Sequence, residues 1–174
     1  MKRRHFLQGS LASLALAGLP LYWFNRWDYL TIHHSAGASG DLALLRRVHR
    51  QRQAGDPVNE VPYHFLVGNG EGIETGAVVP SERWSLRLWG AHVSARNPDR
   101  NFRSIGICLI GNFQNAAPSA DQYDATIALC RDLMRRFDIA AERVTLHGET
   151  PGEATLCPGK LFPRSEFFKD IGRT

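Results

Sequence analysis

Residues of the types that bind transition metals stand where they could share one site. His33 and His34 close the segment Tyr29-Leu-Thr-Ile-His-His-Ser-Ala36, and His147 and Cys157 fall within Leu146-His-Gly-Glu-Thr-Pro-Gly-Glu-Ala-Thr-Leu-Cys-Pro-Gly-Lys160. Two imidazoles and a thiolate suit a borderline-soft cation such as zinc, and three protein ligands leave the fourth tetrahedral position to water. A site left open in this way is catalytic in type, so the chemistry expected is metal-assisted hydrolysis.

The elements around these residues must bring them together. Residues 29–32 are rich in β-formers and read as a short strand that delivers both histidines at its end. Alternation sends the two side chains to opposite faces, so only one can face a shared site. A strand over 144–146 ends at His147, and Cys157 lies in a loop, followed by Pro158 and Gly159. Residues 41–53 read as a helix with Leu42, Leu45 and Val48 inward and Arg46, Arg50 and Arg52 towards water, stopped by Gly55-Asp-Pro57. A strand over 63–67 runs into the turn Gly68-Asn-Gly-Glu-Gly72, which leads to a short strand through Thr75. The continuous apolar run 104–110 predicts a strand covered on both faces, at the centre of a sheet. Ser119-Ala-Asp-Gln122 has the form of a capping box for a helix running to about Phe137, and a short helix over 163–171 closes the chain. This order predicts an α/β fold: a single domain with a central mixed sheet flanked by helices.

Length and charge narrow the partners. A chain of 174 residues supports one domain with a proper core. The formal charge of +4 owes much to Lys2, Arg3 and Arg4, so the body is nearly neutral and no nucleic-acid partner is expected. Met1-Lys-Arg-Arg-His-Phe-Leu-Gln8 and the apolar run after it read as a twin-arginine-like export signal over residues 1–26, either cleaved near Ala15-Leu-Ala17 or kept as a membrane anchor. Residues 27–174 would then form the functional domain, a monomer, periplasmic or otherwise exported, with membrane contact only through the leader. The three cysteines do not form a disulfide framework. Cys130 falls on the apolar helical series Tyr123, Ile127, Cys130, Met134, Phe137, and Cys108 sits in the central apolar run, so both are expected to be packed as small hydrophobes.

At the metal-binding residues the chain resembles the zinc-dependent N-acetylmuramoyl-L-alanine amidases of the type that includes phage T7 lysozyme and the peptidoglycan recognition proteins. The resemblance continues in order through Tyr63-His-Phe-Leu-Val-Gly-Asn-Gly-Glu-Gly-Ile-Glu-Thr-Gly76, Trp89-Gly-Ala-His-Val93, Ser104-Ile-Gly-Ile-Cys-Leu-Ile-Gly-Asn-Phe113 and Thr155-Leu-Cys-Pro-Gly159. It implies the T7 lysozyme and recognition-protein fold, with zinc on His33 rather than His34, His147 and Cys157. It implies roles near the metal for Tyr63 and Thr155, and a place along the substrate groove for His92. By position, Glu149 is a candidate general base or support for a ligand, and Asn112 a candidate substrate contact. Where family members often carry an arginine, this chain has Ala77, which bears on peptide or glycan preference. His5, His49 and His64 receive no role. The implied activity is hydrolysis of the amide between N-acetylmuramic acid and L-alanine in peptidoglycan or muropeptides. The alternatives are a non-catalytic peptidoglycan-binding module and a cytoplasmic amidase that recycles anhydro-muropeptides.

Overall fold

A computed structural model describes residues 25–52 and 61–173 of the protein. Five strands form one sheet: β1 (Tyr29–His34), β2 (Phe65–Val67), β3 (Val78–Pro80), β4 (Ser104–Leu109) and β5 (Val144–Leu146), in the order β3-β2-β4-β1-β5. β4 pairs in parallel with β1 and β2, β5 runs parallel to β1, and β3 is an antiparallel edge. Every residue of β4 is buried, as its unbroken apolar run requires of a central strand. The predicted mixed α/β architecture is the one observed.

Alternation gives the sheet two different faces. Leu30 and Ile32 of β1, Ile105, Ile107 and Leu109 of β4, and Val144 and Leu146 of β5 point one way. They pack against Ile127, Cys130 and Leu133 of α4 (Ala120–Phe137) and Phe167 and Phe168 of α5 (Arg164–Asp170). On the opposite face, Leu66, Cys108 and Ile110 pack beneath Leu45 of α1 (Leu42–Arg52), together with Val61, Tyr63 and Ile73. Thr31 and His33 share this second face, between residues committed to the first.

Helix α4 starts where its capping residue predicts, with Ser119 Oγ accepting the Gln122 N–H. The reciprocal half of the capping box is replaced. The Gln122 amide donates instead to the carbonyls of Val67 and Ile110, tying the helix start to the ends of β2 and β4.

Several boundaries differ from those expected. β3 begins at Val78 instead of running through Thr75, because the bonds Gly70 N to Ile73 O and Ala77 N to Glu74 O take up this backbone in successive turns. β2 starts at Phe65. Residues 61–64 before it are held irregularly: Ser81 Oγ donates to the Tyr63 carbonyl and the buried Arg83 to that of Val61. The helices α2 (Glu82–Ser85) and α3 (Pro98–Arg103) are too short to show a period in the sequence.

Arg26 is buried, donating to the carbonyls of Phe102 and Arg87, so the folded body already includes a residue assigned above to the leader. The rest of the leader motif and the helix stop at 55–57 lie outside the described residues. Cys108 and Cys130 are buried free thiols, as expected. Among the described residues no helix is long and apolar enough to cross a membrane.

Candidate metal centre

Strand register assembles the site. Ile32 of β1 pairs with Leu146 of β5, so one step further His33 stands beside His147, at the carboxyl ends of parallel strands. The two rings lie 4.4 Å apart between centroids. Cys157 arrives on a loop that is fastened to the turn after β5, where the Gly148 N–H donates to the Cys157 carbonyl at 2.8 Å. A side chain at Gly148 would collide with this loop, because its Cβ would lie 2.5 Å from the Thr155 carbonyl oxygen. The close approach of the two segments therefore depends on glycine there.

One donor atom each from His33, His147 and Cys157 falls within 4.8 Å of the others, and His33 Nδ1 lies 3.9 Å from Cys157 Sγ. Tetrahedral zinc at ordinary bond lengths needs donors ~3.3–3.8 Å apart, so a small inward adjustment closes this set around an ion. His34 is turned elsewhere. Its Nδ1 accepts the Phe113 N–H at 3.1 Å, and its own backbone N–H donates to Cys157 Sγ at 3.3 Å.

The surroundings keep the imidazoles in the neutral form a metal requires. Burial, then the neighbouring His92 and His147, lowers the His33 pKa well below its usual value. Burial also lowers that of His147, although Glu153 opposes the shift. Without a cation, burial pushes the Cys157 thiol up to about 12, with the His34 N–H working against it. A bound cation would favour the thiolate outright.

Each histidine has a partner behind it. His147 Nε2–H donates to Glu153 Oε2 at 3.2 Å. The Glu153 carboxylate is itself held by the Ser94 N–H, by the Ser94 hydroxyl at 2.9 Å and by the Asn97 amide. Burial would raise the Glu153 pKa, but the bonds from Ser94 and His147 outweigh it and the carboxyl lies below its usual value. His33 Nε2 meets His92 Nδ1 at 3.1 Å, and His92 Nε2 meets the Ser104 carbonyl at 3.2 Å. Ligand types, separations and supports together fit zinc.

Above His33 opens a cleft of about 410 Å³, lined by His34, Val48, His49, Tyr63, His147, Thr155 and Cys157 among others. Known proteins resemble this chain in sequence and in fold. The N-acetylmuramoyl-L-alanine amidase family matches residues 23–160, most of the chain. The chain belongs to that family. It is 26% identical to peptidoglycan-recognition protein SC2 of Drosophila melanogaster over 140 residues, 78% of this chain and 70% of that one. It is also 26% identical to peptidoglycan-recognition protein SD of Drosophila simulans over 132 residues, covering 74% of this chain and 64% of the relative. In fold it is similar to the amidase LysC of Clostridium intestinale, with a TM-score of 0.69 at 22% identity over 87% of this chain and 89% of that one. It is also similar to peptidoglycan recognition protein LE, solved in complex with tracheal cytotoxin, with a TM-score of 0.62 at 23% identity over 81% and 79% of the two chains.

Within this amidase fold the remaining candidates separate. Tyr63 lies in the cleft wall with its ring centroid 5.1 Å from that of His33. His49, which spacing left without a role, faces Tyr63 edge-on at 5.6 Å. Thr155 is exposed beside Cys157, whose N–H its Oγ1 accepts at 3.2 Å.

The structure places the other three candidates outside the lining of this cleft. Glu149 is exposed and ion-paired with Arg164, and Glu153 holds His147 in its place. His92 does not line a groove but is buried behind His33. Asn112 is absent from the cleft over the ligands. It borders a separate depression with Asn69, Ser119 and Gln122, and its Oδ1 accepts the Gln114 N–H. Nothing local in the sequence separates Glu153 from Glu149, since both are loop carboxylates between the two ligands.

Proposed function

We propose that this protein hydrolyses the amide bond between N-acetylmuramic acid and the L-alanine that begins the stem peptide, in peptidoglycan or in soluble muropeptides. The observation that carries this reading is the intact donor set of His33, His147 and Cys157 below an open cleft. These residues would hold Zn2+, which supplies Lewis acidity towards an amide carbonyl. Thr155 Oγ1 accepts a backbone N–H, so its hydroxyl hydrogen is left to donate to the substrate carbonyl, where negative charge develops. Tyr63 forms the wall facing His33 and would orient the scissile amide over the ligands. Burial of His33 and His92 keeps bulk water from the rear of the site.

The names of the matched relatives favour a second reading, recognition of the wall without cleavage. A thiol set against two imidazoles speaks for hydrolysis, because recognition alone gives such a donor no task. Mass spectrometry of purified peptidoglycan incubated with the protein, before and after chelation, separates the two. Zinc-dependent release of stem peptides beginning with L-alanine supports cleavage, and wall binding without products supports recognition. The leader supports export by a route for folded proteins. Replacing Arg3 and Arg4 with lysine is then expected to strand the chain in the cytosol, and normal fractionation of that variant would count against export.

A further inference from the structure

His92 touches no substrate in the hydrolysis set out above, yet it is buried and hydrogen-bonded at both ring nitrogens. Its role follows from the one partner whose hydrogen-bonding character is fixed. The Ser104 carbonyl can only accept, so His92 Nε2 at 3.2 Å carries a hydrogen. A neutral imidazole has one N–H, which leaves His92 Nδ1 as a bare acceptor. Facing that acceptor at 3.1 Å is His33 Nε2, which must therefore donate. The lone pair of His33 is thereby assigned to Nδ1, the nitrogen directed at Cys157 Sγ.

The geometry points to His92 as a positioning residue that fixes the tautomer and ring plane of His33, so that Nδ1 is presented to the metal before the metal arrives. This rests on the zinc reading given above. The ring of His92 is itself gripped from two sides. A Cβ at Gly90 would lie 2.3 Å from His92 Cδ2, and one at Gly106 would lie 2.5 Å from the same atom. Two glycines thus form a slot that admits the imidazole and restricts its rotation. His33 is 1% exposed, so bulk water does not compete for its Nε2–H. Partners of this kind behind a metal ligand set its basicity and direction. Here the partner is an uncharged imidazole backed by a carbonyl, whereas a carboxylate serves His147.

The test reads the tautomer directly. Two-bond proton–nitrogen correlations on metal-free, 15N-histidine-labelled full-length protein at neutral pH should show His33 protonated at Nε2. His92→Gln, whose amide can accept from His33 and donate to Ser104, should keep that pattern and most of the zinc affinity. His92→Leu should give mixed His33 tautomers and zinc binding about 10–100-fold weaker in competition with a chromogenic chelator. Nδ1 protonation of His33 in the wild-type protein would overturn the proposal, even if His92→Leu failed to fold. An unchanged tautomer and unchanged affinity in folded His92→Leu would overturn it as well. If the wild-type protein has the Nε2–H tautomer but takes up no zinc, the relay stands and the zinc reading fails.

Discussion

Strand β4 separates two regions built on opposite terms. On one side Ile105, Ile107 and Leu109 meet α4 and α5 in an apolar cluster where volume and shape are what matter. Across the same strand, Gly106 lies against the His92 ring, and Cys108 is the register partner of His33. Burial on the first side stabilises the fold by removing apolar surface from water. On the second it imposes a cost, because each buried polar group needs a partner. The site meets that demand with a carbonyl behind His92 and a carboxylate behind His147. The candidate site thus lies on one face, and most of the apolar packing lies on the other.

The sharpest way to break this division is to remove one ligand. Cys157→Ala should abolish stoichiometric zinc binding and lower hydrolysis by about 10³-fold or more, the equivalent of several kcal/mol of lost charge stabilisation. The unfolding midpoint of the metal-free protein should hardly move. Retained metal and activity would remove the thiol from the mechanism.

Ile107→Ala tests the other face. It should cost about 2–5 kcal/mol in denaturant unfolding while the folded fraction keeps its zinc affinity. Lost zinc affinity in protein that remains folded would show that the faces are coupled. A smaller effect is expected from Glu153→Gln, which removes the charge behind His147: zinc affinity should fall about 10–100-fold by chelator competition, with little change in fold.

The smallest effect concerns acidity. Burial, then His92, holds the His64 pKa well below its usual value, with the Leu88 carbonyl opposing. In the unfolded chain His64 takes up a proton as pH falls below about 6.5, before the folded protein does, so its contribution to stability is lost on the acid side. His64→Gln should therefore lessen the fall in metal-free stability between pH 7.5 and 5.5, by at most ~1.4 kcal/mol per pH unit. An unaltered slope would show that His64 is not a source of the acid sensitivity.

The two regions also differ in how well the sequence exposes them. The apolar run of β4 is continuous and the α4 series through Ile127 and Cys130 is periodic, and both patterns survive in one dimension. The clustering of His33, His147 and Cys157 was legible through the family resemblance, together with a strand of β-formers that ends in two histidines. Their supports were not legible. Glu153 and Glu149 are equivalent as loop carboxylates, and only the fold turns one to His147 and the other to Arg164. His92 was placed along the groove by the resemblance alone, and the glycines that hold it, sixteen positions apart, act through the sheet and leave no local signal. Strand alternation would send Tyr63 and His64 in opposite directions, but the strand begins after them, and their rings lie 5.1 and 5.9 Å from those of His33 and His92 respectively.

His33 and Cys157 approach each other across 124 positions of sequence. An ion gripping both would close a circuit through most of the polypeptide, and a cross-link of that span penalises the unfolded chain by shrinking its freedom. Zinc would then act as a clasp as well as a reagent. Stripping it out should leave the sheet standing but loosen the loop that carries Cys157, so that limited proteolysis cuts first around residues 150–157.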